Sequence, residues 1–337
     1  MCSISVIQQQ EIMCGVSEIR RVAFALAMAV IVAPAMGQDY PVRPIRFLVP
    51  QAAGGSTDTL SRLVGQKLGD GLGQQVVLDN RPGANGIIGT EIVSKALPDG
   101  YSLLAGGTGT MAINPSLYSK IPYDPAKHFV PVANIAYSTS VLIVHPSVAA
   151  KTIGDLIALA KSKPGDIRYA SAGSGSSPHL SAEMFRHMTG VNIVHVPYKG
   201  STPGVTATIT GETAMMFTGI ASAIAHIKAG RLRALSVNGA MRSPALPEVP
   251  TATKSGLPGF EVDFWIGIFA PAGTPRSVIT RLNGEVNRII NLPEIKGRFL
   301  AIGAVPAGGT PEQFGAIVRK DTERWAATIK ASGMKVE

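Results

Sequence analysis

The sequence predicts an α/β protein of two lobes, each a mostly parallel sheet flanked by helices. Two observations predict this fold class. Short apolar segments typical of buried strands alternate with amphipathic helical segments along most of the chain, which is the pattern of βαβ units. The chain has 337 residues, and the roughly 300 that follow its amino-terminal targeting segment are enough for two ordinary domains.

The amino end has the three parts of a secretory signal peptide. Arg20 and Arg21 precede the apolar run 22–33, and Pro34 and small residues follow it. The apolar run is shorter than the ~20 residues that cross a bilayer, so a membrane anchor is not expected. The pattern predicts a cleaved signal peptide and export across the inner membrane into the periplasm.

The limits of this signal peptide are predicted as residues 1–37. Cleavage after Gly37 is favoured, and cleavage after Ala35 is the alternative. The region before the arginines is long, which leaves either Met1 or Met13 as the true start.

The positions of the cysteines and the net charge exclude several classes of function. Cys2 and Cys14 both lie in the predicted signal peptide, so the mature chain offers no disulfide, thiolate ligand or cysteine nucleophile. The net charge of +9 is unchanged when residues 1–37 are removed. A basic protein outside the cytoplasm is expected to attract anions. Its basic residues are scattered and accompany no RNA-binding motif, so nucleic acid is not expected as a partner.

The first half alternates strands and helices in order. Strands are predicted over 45–49, 76–78 and 101–105. Between them, apolar residues 60, 63, 64 and 68 recur at helical spacing, and 88–97 reads as a second helix. The turn-rich runs 80–83 and 98–100 separate these elements.

The alternation restarts after the strand 141–145. A helix over 152–162 is predicted, with Thr152 as its N-cap and Asp155 as the third residue of a capping box. Further strands are predicted at 167–170, 193–196, 214–217 and 233–237, with helices at about 178–189, 203–210 and 220–229 between them.

The last segment is predicted to return to the first lobe. An apolar strand over 262–270 precedes helices near 276–291 and 311–331, the second of which has Pro311 at its first position. We therefore predict lobe 1 over residues 38–140 plus 263–337 and lobe 2 over 141–262. Two crossings, near 140 and 262, would form a hinge beside a ligand cleft.

One local design occurs in both lobes. Residues 45–64 and 167–188 each read as a strand, a loop of small residues and a helix. The first amides of a helix are unpaired and carry partial positive charge, so each loop is a candidate anion site. Two such sites in separate lobes could hold a small carboxylate between them.

Nine distinctive segments follow one another along the mature chain. They are QDYPVRPIRFLVPQAAGGSTD (38–58), NRPGANGIIG (80–89), PDGYSLL (98–104), INPSLY (113–118), VHPS (144–147), ASAGSGSSPHL (170–180), VPYKG (196–200), FAPAGTP (269–275) and WAATIKASGMKVE (325–337). In this order they are highly specific. The chain resembles the Bug-type solute receptors of tripartite tricarboxylate transporters over essentially its whole mature length.

This resemblance implies a fold and a role. The fold is the two-lobed periplasmic binding protein fold, a Venus flytrap of class II type. The role is capture of a small organic anion (a di- or tricarboxylate, an aromatic carboxylate or an amino acid) for membrane transporter subunits. No cofactor is implied, and a monomer is expected.

The resemblance also assigns the site by position. The loop 51–58 resembles the clamp for one ligand carboxylate, and the loop 171–177 resembles the clamp for the other end. The loop at residue 108 and the segment after residue 217 resemble the side walls. The predicted ligand-binding residues are Gln51, Ala53, Gly54, Gly55, Ser56, Asp58, Thr108, Ser171, Gly173, Gly175, Ser176, His179, Tyr198 and Thr218.

Two positions depart from the family pattern. Position 51 is often aromatic in such receptors, whereas this chain has Gln51. Ala214 stands where an acidic residue is expected. Both differences change what the pocket can recognise, so the ligand of a relative does not transfer directly. Asp58 lies in a first helical turn, where a structural role is favoured over direct ligand contact.

A metal site is not predicted. His179, Glu183 and His187 form one helical stripe of possible zinc ligands. Eight residues of helix span about 12 Å, which is too long for a single ion.

Catalysis also finds little support, since no nucleophile elbow, P-loop, zinc-protease or dinucleotide motif is present. The alternatives left open are a sensory solute receptor and a secreted hydrolase that uses Ser174 or Ser176 with His179.

Overall fold

The computed structural model describes residues 40–239 and 241–332. The predicted signal peptide, residues 1–37, lies outside the described residues. Within residues 41–332 there are ten strands: β1 (Ile45–Val49), β2 (Val76–Asn80), β3 (Ser102–Gly107), β4 (Phe129–Val144), β5 (Arg168–Ser171), β6 (Val194–Pro197), β7 (Met215–Gly219), β8 (Arg233–Val237), β9 (Asp263–Pro271) and β10 (Ala304–Pro306).

Helices separate most of these strands, which confirms the predicted α/β class. In the described part of the chain they are α1 (Ser56–Leu72), α2 (Ile87–Ser94), α3 (Asn114–Leu117), α4 (Pro125–His128), α5 (Ile153–Ser162), α6 (Ser177–Thr189), α7 (Ser201–Ile209), α8 (Ile220–Lys228), α9 (Arg276–Ile290), α10 (Pro293–Ala301) and α11 (Pro311–Ser332). A π-helical turn, Gly109–Ile113, runs directly into α3. None of the helices in the described ranges is long and apolar enough to cross a membrane.

The strands pair in the order β2-β1-β3-β9-β4-β7-β5-β6, and β8 and β10 also pair with β4. Strands joined by helical crossovers are parallel: β1 with β2 and β3, and β5 with β6 and β7. The long central strands β4 and β9 run antiparallel to their neighbours. The sheet is therefore parallel towards both of its ends and antiparallel in the middle.

Strand β4 is the longest strand, with 16 residues. Its residues 129–139 pair with β9, and its residues 140–144 pair with β7, so its partners change between Thr139 and Ser140. The sequence predicts a strand only from Val141. Two register shifts lie in residues 129–139, next to Pro131 and Asn134. They interrupt the alternation of buried and exposed side chains by which a strand is recognised in a sequence.

Groups of buried side chains pack against this sheet, and the two largest of those described mark its two ends. One surrounds Trp265, Phe269 and Phe314 and includes residues of β1, β3 and α11. The other surrounds Phe185 and Phe217 and includes residues of β5, α5 and α6. Burial of large side chains in these two groups stabilises the packing of helices on each end of the sheet.

Helix ends follow local sequence signals. Thr152 caps α5 as predicted: its Oγ1 accepts from the Asp155 amide at 3.1 Å, and the Asp155 carboxylate accepts from the Thr152 amide at 3.0 Å. Helix α10, which begins at Pro293, is not among the predicted helices. Proline suits a first helical position, where its missing N–H has no helical partner.

Four helices begin near the residues where β4 changes partners, because β1 runs opposite to β5, β6 and β7 and their carboxyl ends face each other there. Helices α1, α6, α7 and α8 follow the carboxyl ends of β1, β5, β6 and β7. In α/β sheets ligands commonly bind beyond the carboxyl ends of the strands. The connections at these ends carry the small-residue loops that the sequence analysis singles out.

Candidate ligand-binding site

A small polar cavity lies where these helices begin. We call it the inner cavity; its volume is about 60 Å³. Among the residues that the structure describes, its lining contains nine hydroxyl side chains and no charged residue. The lining residues are Gln51, Ser56, Thr57, Asn85, Gly107, Thr108, Gly109, Ser138, Ser140, Ala172, Ser176, Ser177, Pro178, Ser201, Thr218, Gly219, Phe264, Trp265 and Ile266.

The starts of four helices contribute to this lining. Ser56, Ser177 and Ser201 are the first residues of α1, α6 and α7, and Gly219 is the N-cap of α8. The first amides of a helix lack intrahelical acceptors, and the helix dipole adds partial positive charge at that end. Four converging helix starts therefore favour an anion in the inner cavity, although no cationic side chain lines it.

The loop before α1 is held by a buried aspartate. Asp58 is 2% exposed, and its carboxylate accepts from the Gly54 amide, Arg62 Nε and Asn80 Nδ2, each at 2.9 Å. Burial alone would raise the pKa of Asp58, but these hydrogen bonds outweigh it and hold the pKa below its ordinary value. The Asp58 carboxylate, by accepting these hydrogen bonds, fixes the loop 52–55.

The loop before α6 has a similar internal frame. Ser176 caps the helix, since its Oγ accepts from the His179 amide at 3.4 Å. The Gly175 amide donates to His179 Nδ1 at 3.0 Å. Gly173 and Gly175 have φ of 122° and 77°, a region that favours glycine. The two glycines let the loop turn tightly and bring Ser176 to the inner cavity.

An imidazole stack lies beneath this loop. The rings of His179 and His195 are 4.0 Å apart between centroids, and Tyr169 stacks on His195 at 4.9 Å. Burial and the neighbouring His179 lower the pKa of His195 to about 4. Burial also lowers the pKa of His179, against the opposing effect of Glu183. Both imidazoles are therefore neutral at pH 7.

The stack bears on the hydrolase alternative. Within the loop 171–177, the serine that contacts an imidazole is Ser171, whose Oγ lies 2.6 Å from His195 Nε2. Ser171 is fully buried and lines neither cavity of the site. The His179 ring is not paired with the hydroxyl of Ser174 or Ser176 in the described structure. None of the described serines that line the two cavities is paired with an imidazole that could activate it.

Thr108 and Thr218 differ in how their hydroxyls are used. Thr108 Oγ1 accepts from the Trp265 amide at 3.0 Å and so ties the start of the π-helical turn to β9. Thr218 is 1% exposed, and its Oγ1 has no hydrogen-bond partner within the described residues. A buried hydroxyl without a partner costs free energy. Since Thr218 lines the inner cavity, a ligand is a natural partner for it.

A second, larger space adjoins the first. We call it the outer cavity; its volume is about 340 Å³. It shares Gln51, Asn85 and Ala172 with the inner cavity. Its lining residues are Pro50, Gln51, Pro82, Gly83, Ala84, Asn85, Gly86, Tyr118, Ala172, Gly173, Ser174, Tyr198, Lys199 and Gly200.

Three hydrogen bonds cross the cleft around these cavities. Tyr118 Oη donates to the Ser174 carbonyl at 2.5 Å. The Ser56 and Ser222 hydroxyls lie 3.0 Å apart. Thr202 Oγ1 donates to the Ala53 carbonyl at 2.8 Å. These bonds join loops and helices from the two ends of the sheet.

The predicted site residues fall into three groups. Those that line the inner cavity are Gln51, Ser56, Thr108, Ser176 and Thr218. Those that line the outer cavity are Gln51, Gly173 and Tyr198. Those that line neither cavity are Ala53, Gly54, Gly55, Asp58, Ser171, Gly175 and His179, which shape the two loops or lie beneath them.

Sequence reasoning missed other lining residues. Ser138 and Ser140 come from the middle of β4, Ser201 starts α7, and Asn85 comes from a turn. The one available signal was small hydroxyl residues within an apolar strand, at 138–140. Asn85 and Ser201 reach the cavity through tertiary packing that local sequence patterns do not reveal.

Known proteins resemble this chain along most of its length. A family model described as TctC, tripartite tricarboxylate transporter family receptor, matches residues 60–334. A UPF0065 protein in the tcbD-tcbE intergenic region of Pseudomonas sp. (strain P51) is 41% identical, covering 92% of this chain and 93% of that protein. Protein BugT of Bordetella pertussis (strain Tohama I) is 36% identical, covering 93% and 96%.

Solved structures also resemble this chain along most of its length. One described as a periplasmic transporter has a TM-score of 0.87 and 37% identity, covering 88% of this chain and 100% of its own. Rpa4515 of R. palustris with adipate has a TM-score of 0.86 and 36% identity, covering 88% and 99%. MatC (Rpa3494) of Rhodopseudomonas palustris with bound malate has a TM-score of 0.82 and 31% identity, covering 86% and 100%.

Proposed function

Because this chain belongs to the family of tripartite tricarboxylate transporter receptors, we propose that it captures a small organic carboxylate, with one carboxylate group in the inner cavity. The chain is a solute-binding receptor of the two-lobed α/β type, and its family and solved neighbours are receptors rather than enzymes. The observation that carries the proposal is the convergence of four helix starts on an uncharged, hydroxyl-lined cavity.

Each wall of the inner cavity has a part in this proposal. The amides at the starts of α1, α6, α7 and α8 supply the partial positive charge. The Thr218 hydroxyl, which has no partner among the described residues, donates to the ligand. Neutral dipoles thus hold the anion without a buried salt bridge. Adipate and malate in the relatives Rpa4515 and MatC support a carboxylate ligand.

In this proposal the cleft opens and closes by movement of two lobes that the central strands β4 and β9 connect. We place the lobes at residues 38–140 plus 263–337 and at 141–262. The change of partners in β4 between Thr139 and Ser140 supports this division, as does the start of β9 at Asp263 opposite Thr139. Small rotations about these two crossings would open the cleft.

The setting of this function is the periplasm, as for the periplasmic proteins that it resembles. We propose that residues 1–37 are removed on export and that the mature chain acts as a monomer. In that state it delivers its ligand to membrane subunits of a tripartite transporter. The family to which it belongs supports this partnership.

A charge placed at one helix start tests the proposal. Ser176→Asp keeps a residue that caps helices well but sets a carboxylate beside the inner cavity, where it repels an anion. Ser277→Asp is the matched control, because Ser277 is exposed and lies in the first turn of α9, away from both cavities. Residues 38–337 are purified, stripped of carried-over ligand by unfolding and refolding, and heated with a carboxylate panel.

The expected result is stabilisation of the native sequence and of Ser277→Asp by the same carboxylates. A ligand at 100 times its Kd adds about 2.7 kcal/mol to the free energy of unfolding. Ser176→Asp should lose this gain. Stabilisation of Ser176→Asp equal to that of the control, or a panel without effect on the folded protein, would refute the proposed site.

A further inference from the structure

The peptide group between Ser174 and Gly175 is hydrogen-bonded at both of its ends. Its carbonyl accepts from Tyr118 Oη at 2.5 Å, and its amide donates to His179 Nδ1 at 3.0 Å. The C=O and N–H of a planar trans peptide point in opposite directions. The two bonds therefore set the orientation of this single peptide, which lies between Tyr118 at the end of α3 and His179 in the first turn of α6.

This peptide belongs to a loop that forms part of both cavities. The loop residues that line them are Ala172 and Ser176 in the inner cavity and Gly173 and Ser174 in the outer one. The loop also packs tightly on the end of α3, since a Cβ at Gly175 would overlap Leu117 Cδ2. A change in the orientation of the 174–175 peptide therefore alters the walls of both cavities and the contact with α3.

The bond to His179 requires an imidazole nitrogen that carries no proton. An amide N–H can only donate, so Nδ1 of His179 accepts and the ring is the neutral tautomer with its proton on Nε2. A protonated imidazole has an N–H at both nitrogens and would set one of them against the Gly175 amide. Protonation of His179 therefore breaks this bond, and the peptide loses the partner that orients it.

His195, the other imidazole of the stack, does not place the same demand on the loop. Its Nε2 lies 2.6 Å from Ser171 Oγ, and a hydroxyl can donate or accept. The Ser171 hydroxyl can also donate to the Gly173 carbonyl at 3.1 Å, so it remains an acceptor for a protonated His195. Of the two stacked imidazoles, His179 is thus the one whose protonation state decides a bond of the loop.

The groups that face His179 keep it neutral in this conformation. His195 stacks on the ring at 4.0 Å between centroids, and Tyr169 lies at 6.4 Å. Glu183 Oε1 is 4.0 Å from His179 Nε2, but the same carboxylate also accepts from Tyr169 and Arg186. Burial lowers the pKa of His179, Glu183 opposes this effect, and Arg186 adds to it. A proton on His179 is therefore disfavoured while the loop keeps this structure.

We propose that His179 is a positioning residue for ligand capture: as a neutral imidazole it orients the 174–175 peptide towards Tyr118, and its protonation favours release of the ligand. This inference rests on the proposed function and adds a means of regulation to it. Binding then requires a neutral His179, so the affinity is complete at high pH and falls as the pH drops through the pKa of His179 in the ligand-free protein.

The test is calorimetric titration at pH 7.5 and pH 5. The probe is whichever of adipate, malate, citrate and benzoate binds the native sequence most tightly. His179→Leu removes the acceptor. His179→Gln supplies an acceptor that does not titrate, and glutamine at the third position of a helix commonly reaches back to an amide at the helix start. His187→Gln is the control, because His187 is an exposed histidine on the same helix.

The pH profile should depend on residue 179. From pH 7.5 to pH 5 the affinity of the native sequence should fall at least about threefold more than that of His179→Gln, which corresponds to about half a pKa unit between the free and bound protein. Titration of the ligand itself is common to both proteins and cancels in this comparison. His187→Gln should follow the native profile.

The variants at pH 7.5 measure the bond itself. His179→Leu should bind the probe about fivefold more weakly, as for one lost hydrogen bond, and His179→Gln should recover most of that loss. A double-mutant cycle with Tyr118→Phe shows whether His179 acts through the shared peptide. In the Tyr118→Phe background, His179→Leu should cause a smaller loss of affinity than in the native sequence.

The contrary results separate this inference from the proposed function. The same pH profile in the native sequence and His179→Gln, or additive effects of His179→Leu and Tyr118→Phe, would overturn the inference and leave the inner carboxylate site intact. Absence of binding by all four probes to the folded protein would overturn both.

Discussion

The Tyr118 hydroxyl, at the end of α3, donates to the Ser174 carbonyl in the loop before α6 at 2.5 Å. The two residues come from opposite ends of the sheet and both line the outer cavity. This hydrogen bond joins the two ends of the sheet beside the outer cavity. If the two ends move apart when a ligand leaves, this bond must break.

Loss of that bond should speed ligand release. Tyr118→Phe keeps the ring but removes the donor, and a hydrogen bond of this kind contributes about 1 kcal/mol, or roughly fivefold in an equilibrium constant. We expect the dissociation rate of a bound carboxylate, followed by stopped-flow fluorescence, to rise about fivefold. The melting temperature of the ligand-free protein should barely change. An unchanged dissociation rate would mean that this bond does not hold the closed state.

The Thr218 hydroxyl should favour binding at the expense of stability. Thr218→Val removes a buried hydroxyl that has no partner in the described structure, so the free energy of unfolding without ligand should stay the same or rise by about 1 kcal/mol. Carboxylate affinity should fall about tenfold or more, because a ligand hydrogen bond is lost. Chemical denaturation and calorimetric titration measure the two effects. A fall in stability without a change in affinity would assign Thr218 to the fold alone.

Asp58 should act through the loop rather than through the ligand. Asp58→Asn weakens the bonds to Gly54 and Arg62, and we expect it to lower the free energy of unfolding by about 1–3 kcal/mol. Asp70→Asn is the control, since Asp70 is exposed on the same helix. The folded pKa of Asp58 is below its ordinary value, so its stabilisation is present above pH ~4 and is lost as the pH falls through the lowered pKa. Urea unfolding at pH 7 and pH 3 measures both; equal stability of the two variants at pH 7 would contradict this role.

The imidazole stack should make stability depend on pH. The pKa of His195 is lowered to about 4 from the ordinary 6.5, so between these values the unfolded chain binds more protons than the folded protein. The free energy of unfolding therefore rises with pH across this window. The stabilisation that comes from the lowered pKa of His195 is lost as the pH falls from 6.5 towards 4. A proton on His195 would place a positive charge beside the His179 ring, and Glu183 and Arg186 lie beyond that ring.

His195→Gln tests this dependence, because it removes the group that titrates. Its melting temperature should vary less between pH 6.5 and pH 4 than that of the native sequence. His187→Gln, at an exposed position on α6, is the control and should keep the native slope. The same slope in all three proteins would show that the stack does not govern acid sensitivity.

Much of the fold follows from local sequence signals. The strand–loop–helix units at 45–64 and 167–188 are predictable because each combines an apolar run, small residues and helical spacing. The capping box of Thr152 is equally local. The first part of β4 is not, since its register shifts and the polar residues Ser138 and Ser140 disguise a buried strand.

The candidate site is less predictable than the fold. The loops were identified from their glycines and serines, yet several of those residues support the site without lining it, as Asp58 and His179 do. The lining also depends on Asn85, whose backbone is set by the buried Asn114. His195 stacks on His179 from a neighbouring strand, a contact that only tertiary packing produces. Sequence patterns mark elements and turns, whereas a cavity is made where distant elements meet.

The most direct test of the central claim is a crystal structure of residues 38–337 with the carboxylate that binds most tightly in titration. We expect one carboxylate group in the inner cavity, within about 3 Å of Thr218 Oγ1 and of amides at the helix starts. A ligand bound with its carboxylates outside the inner cavity, or held there by a cationic side chain, would contradict it.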